Sequence, residues 1–195
     1  MIAHVTSILQ SLFSPPSRWY WPAAVAAACV LLALGGDAAR EALRWERAAL
    51  VHEPWRIVTA HLLHLDGNHL ILNLAGFAAL WALVGDTWRA RAWSFAALFI
   101  ACVIGVGLLA SPSLQWYVGL SGVLHGLLVM GAIGLRHEWR AGAALIAVFL
   151  VLKTVSEATL GAPEPSTIVA AHWWGIGAGT AAGIIGVLST RRDQR

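Results

Sequence analysis

The chain reads as an all-α polytopic membrane protein, a bundle of six transmembrane helices. Three observations predict this class. Hydrophobic residues make up 58% of the 195 residues and charged residues 12%, against about 25% charged in a soluble domain. The apolar residues fall in long blocks with the charges between them, and the mean hydropathy is +0.69. Arginines collect in alternate connections, the asymmetry that orients membrane helices. The length accommodates one compact helical domain.

The predicted spans are about Trp19–Gly36, Asn68–Val84, Trp93–Ala110, Ser121–Leu135, Ala141–Leu160 and Ile168–Leu188. They divide the chain into a cytoplasmic N-terminal segment over 1–18, a membrane domain over 19–190 and a basic cytoplasmic tail over 191–195. Several spans are shorter than the roughly 20 residues that cross a bilayer comfortably. Such helices thin the membrane locally or begin below its surface. The N-terminus lacks the positive cluster of a cleavable signal, so the first apolar run reads as a retained span.

With the N-terminus inside, the inner face receives Arg18, Arg89, Arg91, Arg136, Arg140, Arg191, Arg192 and Arg195. The outer loops Ser111–Gly119 and Gly161–Thr167 carry no Lys or Arg, so both termini are expected in the cytoplasm. One outer loop runs against this rule. It holds Arg40, Arg44, Arg47 and Arg56 among Asp37, Glu41, Glu46 and Glu53, with Leu43, Trp45, Leu50 and Val51 at helical spacing. That pattern predicts an amphipathic interfacial helix capped by Asp37. Trp19, Trp21, Trp88, Trp93, Trp116, Trp173 and Trp174 lie near span ends and predict an interfacial belt.

The net charge is only +3 and no basic run is present, so nucleic acid is not an expected partner. Cys29 and Cys102 lie in apolar blocks and read as small core residues rather than a disulfide. Gly175, Gly179 and Gly183 recur every fourth residue of the last span, a stripe that lets two helix backbones approach.

The chemistry centres on Gly119-Leu120-Ser121-Gly122. A serine in a membrane helix usually bonds a carbonyl one turn back or aids packing. Here flanking glycines would let a substrate backbone come close and expose the Ser121 amide as an oxyanion donor. His172 starts the last glycine stripe. An ionisable side chain in a span costs a few kcal/mol and is a functional candidate by default. Facing Ser121, it would take the hydroxyl proton and return it to the leaving amine; as a neutral imidazole it could also be purely structural. Asp66, Asp86, Glu138 and Glu157 fall at span ends or in loops. None is evidently placed to orient His172, so a Ser–His dyad is expected.

His69 and Asn73, four apart, share a helix face and suit an oxyanion; the bland alternative is a polar helix start with Asp66 and Asn68. His61, His64, Asp66 and His69 match no zinc spacing, and no metal ion or cofactor is expected. Helix-borne histidines could alternatively ligate haem, which leaves a haem or quinone membrane protein as a lesser reading. His125 lies one turn after Ser121 and could serve as base, pack against His172 or be structural. Lys153 and Glu157, four apart in the fifth span, read as a simple ion pair, with a gating role as the alternative.

Together these residues resemble the rhomboid family of intramembrane serine proteases over nearly the whole chain. Glu53-Pro54-Trp55-Arg56 is similar to the family's first-loop Trp-Arg motif. His64, His69 and Asn73 match its second-helix pattern, and Gly119-Leu120-Ser121-Gly122 its nucleophile motif. Ala171-His172 with Gly175 and Gly179 matches its base helix. The resemblance implies a six-helix rhomboid-like bundle with Ser121 and His172 catalytic. It implies His69, Asn73, Gly119 and Leu120 as the oxyanion and substrate-binding set, and a membrane-anchored protein in the bilayer as substrate. His125 stands where many bacterial rhomboids carry a tyrosine stacked on the base. That departure resembles the rhombosortase branch, which implies a bacterial inner membrane as the setting and substrates with a C-terminal Gly-Gly motif, an apolar span and a basic tail. A rhomboid-like membrane protein that binds without catalysis is the main alternative.

Overall fold

The computed structural model describes residues 16–136, 138–160 and 165–192. Among them it forms eight α-helices. Six are long: α1 (Tyr20–Leu34), α4 (Gly67–Val84), α5 (Ala90–Gly107), α6 (Ser121–Leu135), α7 (Arg140–Leu160) and α8 (Pro165–Arg192). Two short ones lie in the first connection, α2 (Gly36–Leu43) and α3 (Arg56–Thr59). The six long helices fall on the six predicted spans. Ser17–Leu34, Gly67–Val84, Ala90–Ala110 and Arg140–Thr159 are long and apolar enough to cross a membrane, and α6 is a shorter apolar helix. The protein is an all-α polytopic membrane bundle. The chain before residue 16, residues 161–164 of the last outer loop and residues 193–195 lie outside the described residues, and with them the greater part of the predicted terminal segments.

Local chemistry sets the helix ends. Asp66 is extended, and its Oδ1 accepts the His69 N–H at 2.8 Å, closing the first turn of α4. Between α1 and α2 the helical path breaks at Gly35-Gly36, and Gly36 has a φ of +60°, in the left-handed region. With its 15 residues, α6 is about 22 Å long, short of a hydrocarbon core of about 30 Å. A helix that short spans only part of the bilayer's depth.

That short helix is the axis of the bundle. Gly122, Val123, His125, Gly126, Leu127, Met130, Gly131, Ala132 and Leu135 are all buried along it. Its closest neighbour is α8, and the contact is backbone on backbone. A Cβ added at Gly175 or Gly179 would collide with the carbonyl oxygens of Gly122 and Gly126 respectively. A Cβ at Gly126 would meet Gly175 O at 2.6 Å, and one at Gly122 would meet Ala171 O at 2.9 Å. Glycine therefore fixes the separation of α6 and α8 from both sides. Gly183 continues the stripe against Ile133. The outward faces stay apolar: Leu72 on α4, Phe95 on α5 and Leu152 on α7 are 72%, 73% and 64% exposed, which suits lipid rather than water.

The first connection departs from the predicted amphipathic helix. Helix α2 ends at Leu43, and Trp45–Glu46 (β1) pairs antiparallel with Trp116–Tyr117 (β2). Asp37 caps nothing; it lies inside the first turn and pairs with Arg40. Trp45 is fully buried and donates Nε1–H to Gly105 O at 2.8 Å, so it belongs to the core. The arginines that ran against the orientation rule are engaged by partners within the protein. Arg47 donates to the carbonyls of Leu114 at 2.9 Å, Ser111 at 2.7 Å and Leu108 at 3.3 Å, tying down the turn and loop that follow α5. Arg56 is buried, pairs with Glu53 and donates to Glu41 O at 2.8 Å and Arg44 O at 2.9 Å. Trp93 likewise leaves the predicted belt: it is fully buried, while Trp116, Trp173 and Trp174 are 40%, 49% and 41% exposed. Both cysteines are free thiols.

Candidate active site

Ser121 is the first residue of α6, at the bundle end where β1 and β2 lie. Its Oγ is 2.9 Å from Nε2 of His172, across the glycine-lined contact of α6 and α8. His172 is only 1% exposed. Small residues at positions 122, 126, 175 and 179 bring these two side chains within bonding reach, so the stripe that packs the helices also builds the pair.

The other ring nitrogen corrects the expectation of an unassisted dyad. His172 Nδ1 is 2.8 Å from Glu157 Oε2. A carboxylate accepts, so Nδ1 carries the proton and Nε2 presents its lone pair to the Ser121 hydroxyl; the tautomer follows from the network. Oε1 of Glu157 pairs with Lys153, as the sequence spacing predicts. That pairing hid the larger role. Glu157 already had a partner four residues away, and no one-dimensional signal shows that α7 turns its end toward α8.

His125 lies flat on His172, ring centres 3.9 Å apart and planes 18° apart. Its Nδ1 donates to Ser121 O at 2.7 Å, one turn back along α6. Of its three sequence alternatives, the geometry realises packing against His172. Its Nε2 is buried without a partner.

His69 and Asn73 stand on α4 across a cavity from Ser121. Asn73 spends one N–H on His69 O at 3.0 Å, which leaves its second N–H for a ligand. Gly119 has φ +143°, a conformation glycine tolerates, and a Cβ there would crowd His69 Cε1 at 3.4 Å. The Gly119 carbonyl is held on its buried side by Tyr117 Oη–H at 2.9 Å and lies 3.2 Å from His61 Nδ1. Because the peptide is planar and trans, the Leu120 N–H points the opposite way, away from Tyr117 and His61. Sequence reasoning missed Tyr117, whose neighbours gave no motif. His64 is buried edge-on to His69, ring centres 5.1 Å apart. Burial and the nearby His69 push its pKa down to about 4, so it is neutral at physiological pH.

These side chains close one end of a cavity of about 800 Å³. The cavity runs along α6 between α4 and α7, past Gly76, Ile146 and Phe149 to Trp139 near the opposite end. Its polar groups gather at the Ser121 end, the arrangement of a site that binds an apolar segment and acts on a polar group within it. His125, Glu157 and His172 could each offer one metal ligand atom within 4.8 Å. Both Glu157 oxygens are engaged, one by the Lys153 ammonium, which disfavours a cation there. His61, His64, Asp66 and His69 do not converge as ligands among the described residues.

A serine and a histidine held by two helices beside an apolar cleft define a class: polytopic membrane proteins with a hydrolase-like pair inside the bundle. Comparison with protein-family models matches the Rhomboid domain over residues 51–189, and the chain belongs to this family, whose members include intramembrane proteases. The match spans His69, Asn73, Ser121, Glu157 and His172. A search of curated proteins returns no match.

Proposed function

We propose that the protein is a serine-type intramembrane endopeptidase that cuts a membrane-anchored protein. The 2.9 Å approach of Ser121 Oγ to His172 Nε2 carries this reading. Ser121 attacks a peptide carbonyl while His172 takes its proton. The Ser121 and Leu120 amides, His69 Nε2 and the second Asn73 N–H stabilise the oxyanion. His172 then protonates the leaving amine, and water hydrolyses the acyl-enzyme by the same path. A substrate helix must unwind to expose its carbonyl, which favours glycine near the cut.

The finer assignment is rhombosortase-like, resting on His125 at the stacking position. Substrates would be exported proteins with a C-terminal Gly-Gly motif before an apolar span and a basic tail. The enzyme would lie in a bacterial inner membrane, termini in the cytoplasm and the Ser121 end outward, as the arginine asymmetry implies. The test is cleavage, in proteoliposomes, of a reporter carrying such a tail. The reading requires cleavage by the wild type and none by Ser121→Ala or His172→Ala. Intact reporter bound but uncut by the wild type would establish a binding protein instead.

A further inference from the structure

The rhomboid resemblance implies two catalytic side chains; the geometry points to a third. We propose that Glu157 is a positioning residue that orients and charge-stabilises His172 through Nδ1, making the site a Ser121–His172–Glu157 chain anchored by Lys153. This rests on the protease reading above.

The observations converge on the carboxylate. Oε2 stands 2.8 Å from Nδ1 of a histidine whose Nε2 is 2.9 Å from the nucleophile. Oε1 pairs with Lys153 one turn back on α7. Two bonds, one on each oxygen, fix the Glu157 rotamer and supply a fixed cation beside it. The carboxylate accepts from Nδ1–H, which selects the tautomer that leaves Nε2 free to act as base. When His172 takes the Ser121 proton it becomes an imidazolium whose ring is itself only 1% exposed. A carboxylate in direct contact stabilises that charge where little solvent can. His125 lies flat on the ring face, so the in-plane lone pair of its Nε2 is not aimed at His172 Nδ1, and it supplies stacking rather than an acceptor. Among the described residues around the ring, Glu157 is therefore the group that can do this.

Its position on α7 adds a consequence. The same helix walls the cavity beside Ser121. The three-residue chain is complete only while the outer end of α7 stays against α8.

Glu157→Gln tests the proposal, since glutamine keeps the size and an acceptor but removes the charge. Two measurements apply to purified full-length protein in micelles: the rate at which a fluorophosphonate modifies Ser121, and the proton resonance of ¹⁵N-labelled His172 Nδ1–H. The expected result is a loss of about 10²-fold in the modification rate, an unchanged melting temperature and a displaced Nδ1–H resonance. Lys153→Met should give a smaller loss in the same direction. Modification at the wild-type rate overturns the proposal even if the resonance moves, because contact without consequence is packing. An unmoved resonance overturns it by denying the contact. If the wild type itself is unmodified, the protease reading fails separately, and the resonance still decides whether Glu157 holds the ring.

Discussion

His125 lies flat on His172, ring centres 3.9 Å apart with planes 18° apart, while its Nδ1 holds Ser121 O at 2.7 Å. One residue thus braces the base and ties its own ring to the nucleophile's backbone. Its Nδ1–H is committed to that carbonyl and its Nε2 makes no hydrogen bond, so the nitrogen in reach of the Ser121 hydroxyl is Nε2 of His172. His125→Ala should therefore slow cleavage by about tenfold, chiefly in kcat, and His125→Tyr should restore much of the loss by stacking. His172→Ala should abolish cleavage. Steady-state kinetics of the three variants checks this; a dead His125→Ala beside a working His172→Ala would reverse the two roles.

Glycine at the α6–α8 crossing is a geometric requirement. A methyl group at Gly179 would collide with Gly126 O, and the helices would have to separate. Gly179→Ala should cost about 1–3 kcal/mol in stability. It should also lengthen the Ser121–His172 contact enough to remove most activity. Gly177, with nothing within 4 Å, is the control, and its alanine variant should behave as wild type. Thermal melting and reporter cleavage in the same detergent measure both.

Tyr117 aims an amide it does not itself contain. Tyr117→Phe removes the hydroxyl that donates to Gly119 O at 2.9 Å. The Leu120 N–H then loses part of its fixed direction. The expected effect is a fall in kcat of about fivefold to tenfold, the worth of about 1 kcal/mol, with KM unchanged. A change confined to KM would place Tyr117 in substrate binding instead.

Acid should weaken the fold through His64. Its folded pKa is about 4 against an ordinary 6.5, because burial opposes the charged ring and His69 adds to the effect. Between those values the unfolded chain binds a proton that the folded chain refuses, so stability falls as pH falls through that window. Melting temperature should drop from pH 7 to pH 5, and His64→Gln should reduce the slope. A melting temperature independent of pH across that range would contradict the assignment.

The sequence disclosed the bundle because apolar blocks of near-bilayer length carry their own signal. Ser121–Leu135 is bounded by the same residues in the structure as in the prediction. It singled out Ser121 and His172, which stand 2.9 Å apart, because glycines and an ionisable side chain are conspicuous in such blocks. It concealed Glu157 because the side chain's sequence-local partner, Lys153, already accounted for it, and the bond to His172 depends on how α7 meets α8. It misread Arg44–Arg56 for a related reason. Residues at helical spacing there are held by contacts distant in sequence, Arg47 on the loop after α5 and Trp45 on Gly105. Those contacts override an amphipathic pattern, as tertiary packing commonly does.

The most direct measurement is the site of fluorophosphonate attachment, read by mass spectrometry of the labelled protein. The account predicts one adduct, on the hydroxyl of Ser121, formed by the wild type and lost in His172→Ala. An unlabelled wild type, an adduct on another residue, or equal labelling without His172 would contradict it.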